Sequence, residues 1–355
     1  MGRVEVTGTP SPAQDHAKDR AADRAGDGMA LGLRDVRVSL PTARGELSIL
    51  RGVTFGVARG EIVAVAGESG SGKSTSILAA LRLLPAGARV TGSIECGGDD
   101  VLGMPRRELR RLRAGRARMV FQDPWRALHP MKRIGAQLVE SARTADPGLS
   151  KDAARTLAAE TLGRVGIPDP GSRMRAYPHE ISGGQAQRIV IAMALVARPA
   201  VLLCDEPTTA LDVTTQAQIL ELLRDLNREL GLSIVIATHD LDVIADIADR
   251  LVVMYAGAVV EEGPTADVLA GPRHPYTHAL LRAAPGLAGG GRLRAIAGRP
   301  PAPAEEPAGC AFAARCPSAH DICSAVRPEP RPVLPGRIAA CLRAEGYGAV
   351  PGGGS

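Results

Sequence analysis

The sequence predicts an α/β fold with a largely parallel sheet, followed by a small, irregular C-terminal region. Short apolar runs alternate along the chain with segments suited to helices, a pattern typical of buried parallel strands. One of these runs leads through a glycine-rich turn directly into a helix-forming segment. After about residue 284, glycine, proline and arginine become frequent, which indicates irregular structure. The predicted strands cover residues 33–38, 61–66, 201–204, 233–237 and 251–255.

The composition is that of a globular protein. The chain has 355 residues, of which 45% are hydrophobic and 23% charged, and this length fits about two domains. No run reaches the ~18 apolar residues of a membrane span, and residues 1–28 contain no apolar leader. We therefore expect a disordered tail over 1–28, with Met29 as an alternative start, together with a cytosolic location and reduced cysteines. The net charge of +5 gives only weak support for a nucleic-acid partner.

Helices are predicted between these strands. Residues 77–84 form an apolar segment suited to a helix, and residues 135–200 are predicted to be mainly helical. The arginine-rich run at 106–118 has no aromatic residues interleaved with it. A nucleic-acid or membrane-surface patch is one interpretation of this run, and a solvated helix face is the one we favour.

The glycine-rich turn matches the phosphate-loop pattern G-x-x-x-x-G-K-S/T. It follows a predicted buried strand and opens a helix, which is the context that this pattern requires. Backbone N–H groups and the helix N-terminus would surround phosphates there, Lys73 would neutralise the β- and γ-phosphates, and Ser74 would ligate Mg²⁺. The predicted nucleotide-binding residues are Gly67, Glu68, Ser69, Gly70, Ser71, Gly72, Lys73, Ser74 and Thr75.

Two acids follow the predicted strand at 201–204. A carboxylate at the end of a parallel strand lies where α/β sheets bind ligands, so Asp205 is a candidate Mg²⁺ ligand. Glu206 is placed to orient and deprotonate a water molecule. Taken alone, the pair is also consistent with the N-cap of the next helix.

A second glycine-rich helix start lies at residues 182–185. Ser182, Gly183, Gly184 and Gln185 precede an apolar helix. Taken alone, they predict a serine-capped helix whose N-terminal end can bind an anion.

Together, these motifs resemble the ordered motif set of ATP-binding-cassette (ABC) ATPases. Residues 181–185 resemble the signature motif, Gln122 resembles the Q-loop glutamine, residues 209–212 resemble the D-loop, and His239 resembles the switch histidine. The resemblance implies a P-loop NTPase cassette over 29–265, with a parallel-sheet core, antiparallel strands and a helical subdomain over about 123–198.

The resemblance also implies a composite site with ATP and Mg²⁺ as its ligands. Lys73, Glu206 and His239 would be catalytic, and Ser74, Gln122 and Asp205 would hold Mg²⁺. Two ATPase domains would pair head to tail, so that the signature of one chain contacts the nucleotide of the other. The residues implied at that nucleotide, besides the phosphate loop, are Gln122, Ser182, Gly183, Gly184, Gln185 and Asp212.

Two departures from the family pattern are visible. Ile181 replaces the usual leucine of the signature, a swap between apolar residues of similar volume. Residues 29–54 contain no aromatic residue to stack on adenine, so Leu40 or a neighbour is expected there.

Three further features resemble one branch of the family. They are Tyr177–Glu180, the His274–Thr277 segment (HPYT), and four late cysteines: Cys310, Cys316, Cys323 and Cys341. They are similar to the ATPase subunits of oligopeptide, dipeptide and nickel importers, which implies a C-terminal domain over 266–345 and a flexible tail over 346–355. The cysteine spacing lacks the C-x2–4-C pairs of zinc sites. An iron–sulfur (4Fe–4S) cluster, as some members of this branch carry, is the favoured reading; free thiols and zinc stay open.

The resemblance implies an ATP-hydrolysing subunit that energises uptake of a peptide or nickel-type solute. Its expected partners are two transmembrane permease subunits, a second ATP-binding subunit (a paralogue or a second copy) and, indirectly, an extracellular solute-binding protein, with no nucleic acid. It would sit peripherally on the cytoplasmic face of the plasma membrane. The alternatives are a soluble ABC ATPase acting on DNA or ribosomes, and an exporter-type ATPase.

Overall fold

The computed structural model describes residues 28–43, 45–209, 211–284, 295–302 and 304–344. Several predicted segments therefore lie outside the described residues. These are nearly all of the N-terminal tail, Ala210 of the D-loop-like segment, much of the glycine-rich stretch after residue 284, and the C-terminal tail.

The first sheet is antiparallel and has four strands in the order β2-β1-β4-β5. Its strands are β1 (Met29–Thr42), β2 (Gly45–Ala58), β4 (Arg89–Cys96) and β5 (Asp99–Asp100). Leu33 pairs with Phe55 on one side and with Ile94 on the other, so three strands present apolar residues at the same level.

The second sheet contains eight strands, and its centre is parallel. The strand order is β11-β12-β10-β9-β3-β8-β7-β6. Strands β6, β7, β8, β3 and β9 run parallel, and β10, β12 and β11 add in antiparallel pairings. The bounds are β3 (Ile62–Ala66), β6 (Ala117–Val120), β7 (Val201–Asp205), β8 (Ser233–Thr238), β9 (Arg250–Tyr255), β10 (Ala258–Pro264), β11 (Arg331–Leu334) and β12 (Arg337–Ala339). The predicted α/β class with a parallel core is confirmed.

Helices cover both faces of this sheet. They are α1 (Lys73–Ala80), α2 (Arg106–Arg111), α3 (Pro124–Ala127), α4 (Ile134–Ala145), α5 (Lys151–Arg164), α6 (Pro170–Arg173), α7 (Gly183–Leu195), α8 (Val213–Leu230), α9 (Leu241–Ile247), α10 (Thr265–Ala270), α11 (Pro275–Ala283) and α12 (Asp321–Ala325). A π-helical turn spans Leu112–Arg116, and 3-10 turns span Pro178–Glu180 and Ala313–Arg315. Among the described residues no helix combines the length and the apolar character needed to cross a bilayer.

The central strand β3 shows why the strand runs are continuously apolar. All five of its residues are buried. Ile62, Ala64 and Ala66 pack in one hydrophobic core, whereas Val63 and Val65 pack in the other. Because successive side chains of a strand point to opposite faces, a sheet covered on both faces needs apolar residues at every position.

Helix α1 ends earlier than the sequence predicts. The apolar segment continues to Leu84, but the helix stops at Ala80. Arg82 adopts a left-handed conformation (φ 50°), and the Leu83 N–H donates to the Leu78 carbonyl at 2.8 Å, which closes the helix end. The prediction of a helix through residue 84 is therefore wrong at its C-terminal end.

The arginine-rich run is only partly a solvated helix face. The four arginines of α2 are exposed, as predicted. Arg113 instead donates to the Leu81 and Arg82 carbonyls, and Arg118 donates to Ser141 and to the Met193 carbonyl. Burial lowers the pKa of both guanidinium groups. These two arginines cap carbonyl groups that end other elements, a role that charge alone could not predict.

The C-terminal region shares the sheet of the cassette. Strand β12 pairs with β10 through Glu261–Ala339 and Glu262–Ile338, and β11 pairs with β12. A domain boundary near residue 265 stays a prediction, as does the helical subdomain over about 123–198, where α3 to α7 lie.

Candidate active site

The phosphate loop connects β3 to α1, and its glycines are required by their surroundings. Gly67 has φ 152°, and a Cβ there would lie 2.3 Å from the Met254 carbonyl oxygen. Gly72 has φ 104°, and a Cβ there would lie 2.7 Å from a methyl group of Leu50. The loop therefore passes too close to its neighbours for any larger residue at these positions.

Lys73 lies inside this loop. Its Nζ donates to the carbonyl oxygens of Gly67 at 2.7 Å and of Glu68 at 3.1 Å. Burial lowers the pKa of Lys73, and the nearby carboxylates, Glu206 and Asp205 foremost, oppose that shift. The ammonium group is thus held by weak neutral acceptors, which phosphate oxygens can replace.

Ser74 and Asp205 form a pair suited to Mg²⁺. The Ser74 hydroxyl donates to Asp205 Oδ1 at 2.7 Å. Neighbouring oxygens around an octahedral Mg²⁺ are about 2.9 Å apart, given metal–oxygen distances of 2.0–2.1 Å, so both atoms fit one coordination shell. Burial raises the pKa of Asp205, and the Ser74 hydrogen bond partly offsets that shift.

Glu206 lies at the centre of the polar cluster beyond β7. Its carboxylate accepts from Gln122 Nε2 at 3.0 Å and from the Thr209 hydroxyl at 2.9 Å, and lies 3.2 Å from His239 Nδ1. The carboxylate is 17% exposed, so a water molecule can reach it. The structure thus brings together three predicted site residues, Gln122, Glu206 and His239, from three different loops; Thr209 had been placed only in the D-loop-like segment.

A cavity of about 230 Å³ opens over the phosphate loop. Besides loop residues and Glu206, it is lined by Ser48, Ile49, Arg51, Ala256 and Pro301. Among the described residues that line it, Ile49 is an apolar side chain from the strand region where an adenine contact was expected. Leu40 does not line this cavity but pairs with Leu47 across β1 and β2, one residue before Ser48. The identity of the adenine contact stays a prediction.

The signature and the D-loop-like residues cap two other helices. Ser182 accepts from the Gln185 N–H at 3.3 Å at the start of α7, and Asp212 accepts from the Thr215 N–H at 3.0 Å at the start of α8. Gly184 allows the two helix ends to approach, because a Cβ there would lie 2.7 Å from Thr215 Cγ2. None of these residues lines the cavity over the phosphate loop.

Comparisons with known proteins decide the family. A family model described as "ABC transporter" matches residues 50–209, and one described as "Oligopeptide/dipeptide transporter, C-terminal region" matches residues 260–323. The Oligopeptide transport ATP-binding protein OppD of Escherichia coli (strain K12) is 44% identical over 314 residues, 88% of this chain and 93% of that relative. The chain belongs to the ABC transporter family.

Other relatives agree. The Dipeptide transport ATP-binding protein DppD of Bacillus subtilis (strain 168) is 46% identical over 301 residues, 84% of this chain and 90% of that relative. Among solved structures, the dimeric ABC transporter cassette MJ0796 matches with TM-score 0.59 and 28% identity, over 66% of this chain and 98% of its own. The chain is therefore an ATPase subunit of an ABC importer.

The HPYT segment of this ABC ATPase joins α11 to the phosphate loop. His274 Nδ1 accepts from the Tyr276 N–H at 3.0 Å, and the His274 N–H donates to the carboxylate of Glu261 at 2.8 Å. The Tyr276 hydroxyl accepts from the Glu68 N–H at 2.8 Å. Burial lowers the pKa of His274 to about 4, so the ring is neutral and can accept that hydrogen bond. The HPYT motif indicated the branch of the family, but the sequence could not predict the contact between Tyr276 and the phosphate loop.

The four late cysteines lie around one small apolar cavity of about 20 Å³. None of them forms a disulfide, and the Cys310 N–H donates to the Cys323 carbonyl at 2.7 Å. Burial raises the pKa of Cys310, Cys316 and Cys341, and the charge of the neighbouring thiols raises it further. Within the described residues, no three or more His, Cys, Asp or Glu side chains are grouped closely enough to hold a metal ion. Cys96 and Cys204 are buried in the cores, as predicted.

Proposed function

We propose that this ATPase subunit powers uptake of a peptide through separate permease subunits, with Glu206 directing the attack of water on ATP. The observation that carries the proposal is the convergence of Gln122, Thr209 and His239 on the Glu206 carboxylate beside the phosphate loop. A positioned carboxylate with access to water is what general-base hydrolysis requires.

Lys73, Ser74, Asp205, Gln122 and His239 would each act on the bound nucleotide or its Mg²⁺. Lys73 exchanges its carbonyl partners for the β- and γ-phosphates, and backbone N–H groups at the start of α1 bind the same oxygens. Ser74 and Asp205, with Gln122, would hold Mg²⁺, which when bound neutralises charge on the phosphates. His239, whose Nδ1 lies 3.2 Å from Glu206, would contact the γ-phosphate and keep Glu206 oriented.

The signature residues would act on the nucleotide of a second ATPase subunit. Ser182, Gly183, Gly184, Gln185 and Asp212 lie outside the cavity of their own chain. Their helix N-termini can bind an anion supplied by a partner. The solved relative MJ0796 is described as dimeric, which supports pairing of this chain with a paralogue or a second copy.

The names of the relatives support a peptide substrate, because they are oligopeptide and dipeptide transport proteins. A nickel-type solute is the alternative. Two permease subunits would bind at the cytoplasmic face of the plasma membrane, near the Q-loop. Phe121, Trp125 and Met131 are exposed large apolar side chains in that region and suit such a contact.

Affinity capture tests the partners. A tagged Glu206→Gln chain, trapped with ATP in detergent-solubilised cells, should retain two multi-span permeases, a second ATPase subunit and a solute-binding protein. The binding protein then distinguishes a peptide from a nickel-type solute. Recovery of ribosomal or DNA-repair proteins in place of permeases would overturn the transport proposal.

The four cysteines carry a separate proposal, an iron–sulfur (4Fe–4S) cluster. All four cysteines line one apolar cavity, and thiolates suit iron. The described thiols are not grouped closely enough to hold a metal ion, so a cluster would have to draw them together. Anaerobically purified chain should contain about four iron and four sulfide, and lose both when Cys310 is replaced by serine. Colourless, iron-free protein would leave free thiols as the correct interpretation, and stoichiometric zinc would favour a zinc site.

A further inference from the structure

Glu68 is an acidic residue inside a loop that binds anions. Its carboxylate is held by Arg315 through two hydrogen bonds, Nη1 to Oε2 at 2.7 Å and Nη2 to Oε1 at 2.9 Å. The Arg315 side chain is 4% exposed and that of Glu68 is 26% exposed, so solvent screens this pair little. The Glu68 hydrogen bonds raise the pKa of Arg315. The two residues are 247 positions apart and join the C-terminal region to the phosphate loop.

Arg315 is itself fixed in place. Its Nε donates to the Ala297 carbonyl at 2.9 Å, and Nη1 donates to the Tyr255 hydroxyl at 3.3 Å. The guanidinium also lies over the rings of Tyr255 and Phe312, at 5.8 and 5.9 Å from their centroids. A planar cation with this many fixed contacts presents the carboxylate with a rigid partner.

The backbone of Glu68 connects this pair to Lys73. The Glu68 N–H donates to the Tyr276 hydroxyl at 2.8 Å, and its carbonyl accepts from Lys73 Nζ at 3.1 Å. The same carbonyl accepts from the Ser71 N–H at 3.2 Å. Glu68, whose carbonyl orients Lys73, is thus held by Tyr276 at its N–H and by Arg315 at its carboxylate.

We propose that Arg315 is a positioning residue for ATP binding, which neutralises Glu68 and keeps its carboxylate turned away from the phosphates. A free carboxylate in this loop would repel the triphosphate and compete for Lys73, at a site where burial strengthens both effects. The C-terminal region therefore sets the nucleotide affinity of the loop. This inference rests on the proposed roles of Lys73 and the phosphate loop.

A double-mutant cycle in the full-length chain tests it. ATP affinity is measured by calorimetric titration for the wild type, Arg315→Gln, Glu68→Gln and the double variant. Arg315→Gln should weaken ATP binding about tenfold or more, since it leaves an unpaired charge near the phosphates. Glu68→Gln should weaken ATP binding less than Arg315→Gln does, because it leaves no carboxylate near the phosphates. The double variant should bind ATP no more weakly than Glu68→Gln and so recover most of the loss seen in Arg315→Gln. The ATP affinity of Arg315→Lys should lie between those of the wild type and Arg315→Gln.

The controls separate positioning from folding. Arg331→Gln removes an exposed arginine of the same region, which donates to the Leu342 carbonyl, and should bind ATP like the wild type. In hydrolysis assays Arg315→Gln should raise KM more than it lowers kcat. Equal weakening in the single and double variants, or wild-type affinity in Arg315→Gln, would overturn the inference. A wild-type chain that fails to bind ATP would instead overturn the proposed roles of the loop.

Discussion

At the residue scale, Glu206 occupies a strained position. Its φ of 47° lies in the left-handed region, which costs a non-glycine residue on the order of 1–3 kcal/mol. The Glu206 N–H donates to the Ala237 carbonyl at 2.9 Å, so the strand β8 beside it holds this conformation. Such strain persists where the surrounding structure fixes a functional side chain, and here it aims the carboxylate at Gln122 and His239.

Replacement of Glu206 by glutamine should separate binding from hydrolysis. The amide keeps the size of the side chain but cannot accept a proton, so ATP should still bind while turnover falls at least about 100-fold. The measurements are ATP titration and phosphate release, with the exposed Glu160→Gln in α5 as a matched control. Near-normal turnover in Glu206→Gln would refute the general-base role.

Replacement of Asp205 by asparagine should affect Mg²⁺ binding and stability in opposite directions. Because burial raises the folded-state pKa of Asp205, its contribution to stability is largest at low pH and is lost as pH rises through that pKa. In EDTA, the free energy of unfolding of Asp205→Asn should therefore equal that of the wild type at pH 4. At pH 8 it should be larger than that of the wild type.

Denaturant unfolding at the two pH values provides the measurement, and Mg²⁺-dependent ATP binding provides the second readout. Asp205→Asn should lose the Mg²⁺ dependence. A variant that is less stable than the wild type at pH 8 in EDTA would show that the ionised carboxylate stabilises the metal-free fold.

At the element scale, helix α7 has both a structural cap and a proposed function at the same residue. Ser182 caps α7, and Ser150 caps α5 in the same way by accepting from the Ala153 N–H at 3.1 Å. Comparing Ser182 with Ser150 therefore separates helix capping from the proposed contact of Ser182 with nucleotide.

Ser182→Ala and Ser150→Ala should each cost about 1 kcal/mol of stability. Only Ser182→Ala should lower ATP hydrolysis, because only α7 would face the nucleotide of the partner subunit. Thermal unfolding and phosphate release of the two variants test this. Equal activity in both would leave Ser182 with a capping role alone.

Helix α11 depends on a neutral histidine at its N-cap. With a folded-state pKa of about 4, His274 contributes stability that is present above its unfolded value near 6.5 and is lost as pH falls through 4. Asparagine can accept the same Tyr276 N–H without titrating. The stability of the wild type relative to His274→Asn should therefore drop by about 3 kcal/mol between pH 7 and pH 4. Unfolding curves that shift in parallel for the two proteins would contradict this.

The elements also show what local sequence could and could not predict. The strand runs were predictable because a strand covered on both faces must be apolar throughout. The end of α1 was not, because seven of the eight residues in 77–84 are apolar and the helix is stopped by the left-handed conformation of Arg82, a residue type that does not signal a helix end. Arg113 and Arg118 were misassigned for a related reason, since charge does not reveal which carbonyl groups lie within reach.

At the scale of the whole molecule, the positions of the main candidate site residues were predictable, whereas the contacts that hold the phosphate loop from the C-terminal region were not. Lys73, Asp205 and Glu206 follow strands in a fixed pattern that sequence reveals. Arg315 lies far along the chain among proline-rich residues, with no spacing to link it to Glu68. Its contact with Glu68 appears only in the fold, in which β11 and β12 join the C-terminal region to the sheet that carries the phosphate loop.

Uptake in cells tests whether ATP hydrolysis at Glu206 drives solute transport. Cells that lack this chain would be complemented with the wild type or with Glu206→Gln, and the entry of a labelled oligopeptide would be measured. The wild type should restore uptake, and Glu206→Gln, expressed at the same level, should not. Equal restoration of uptake by both proteins would show that transport does not depend on hydrolysis at Glu206.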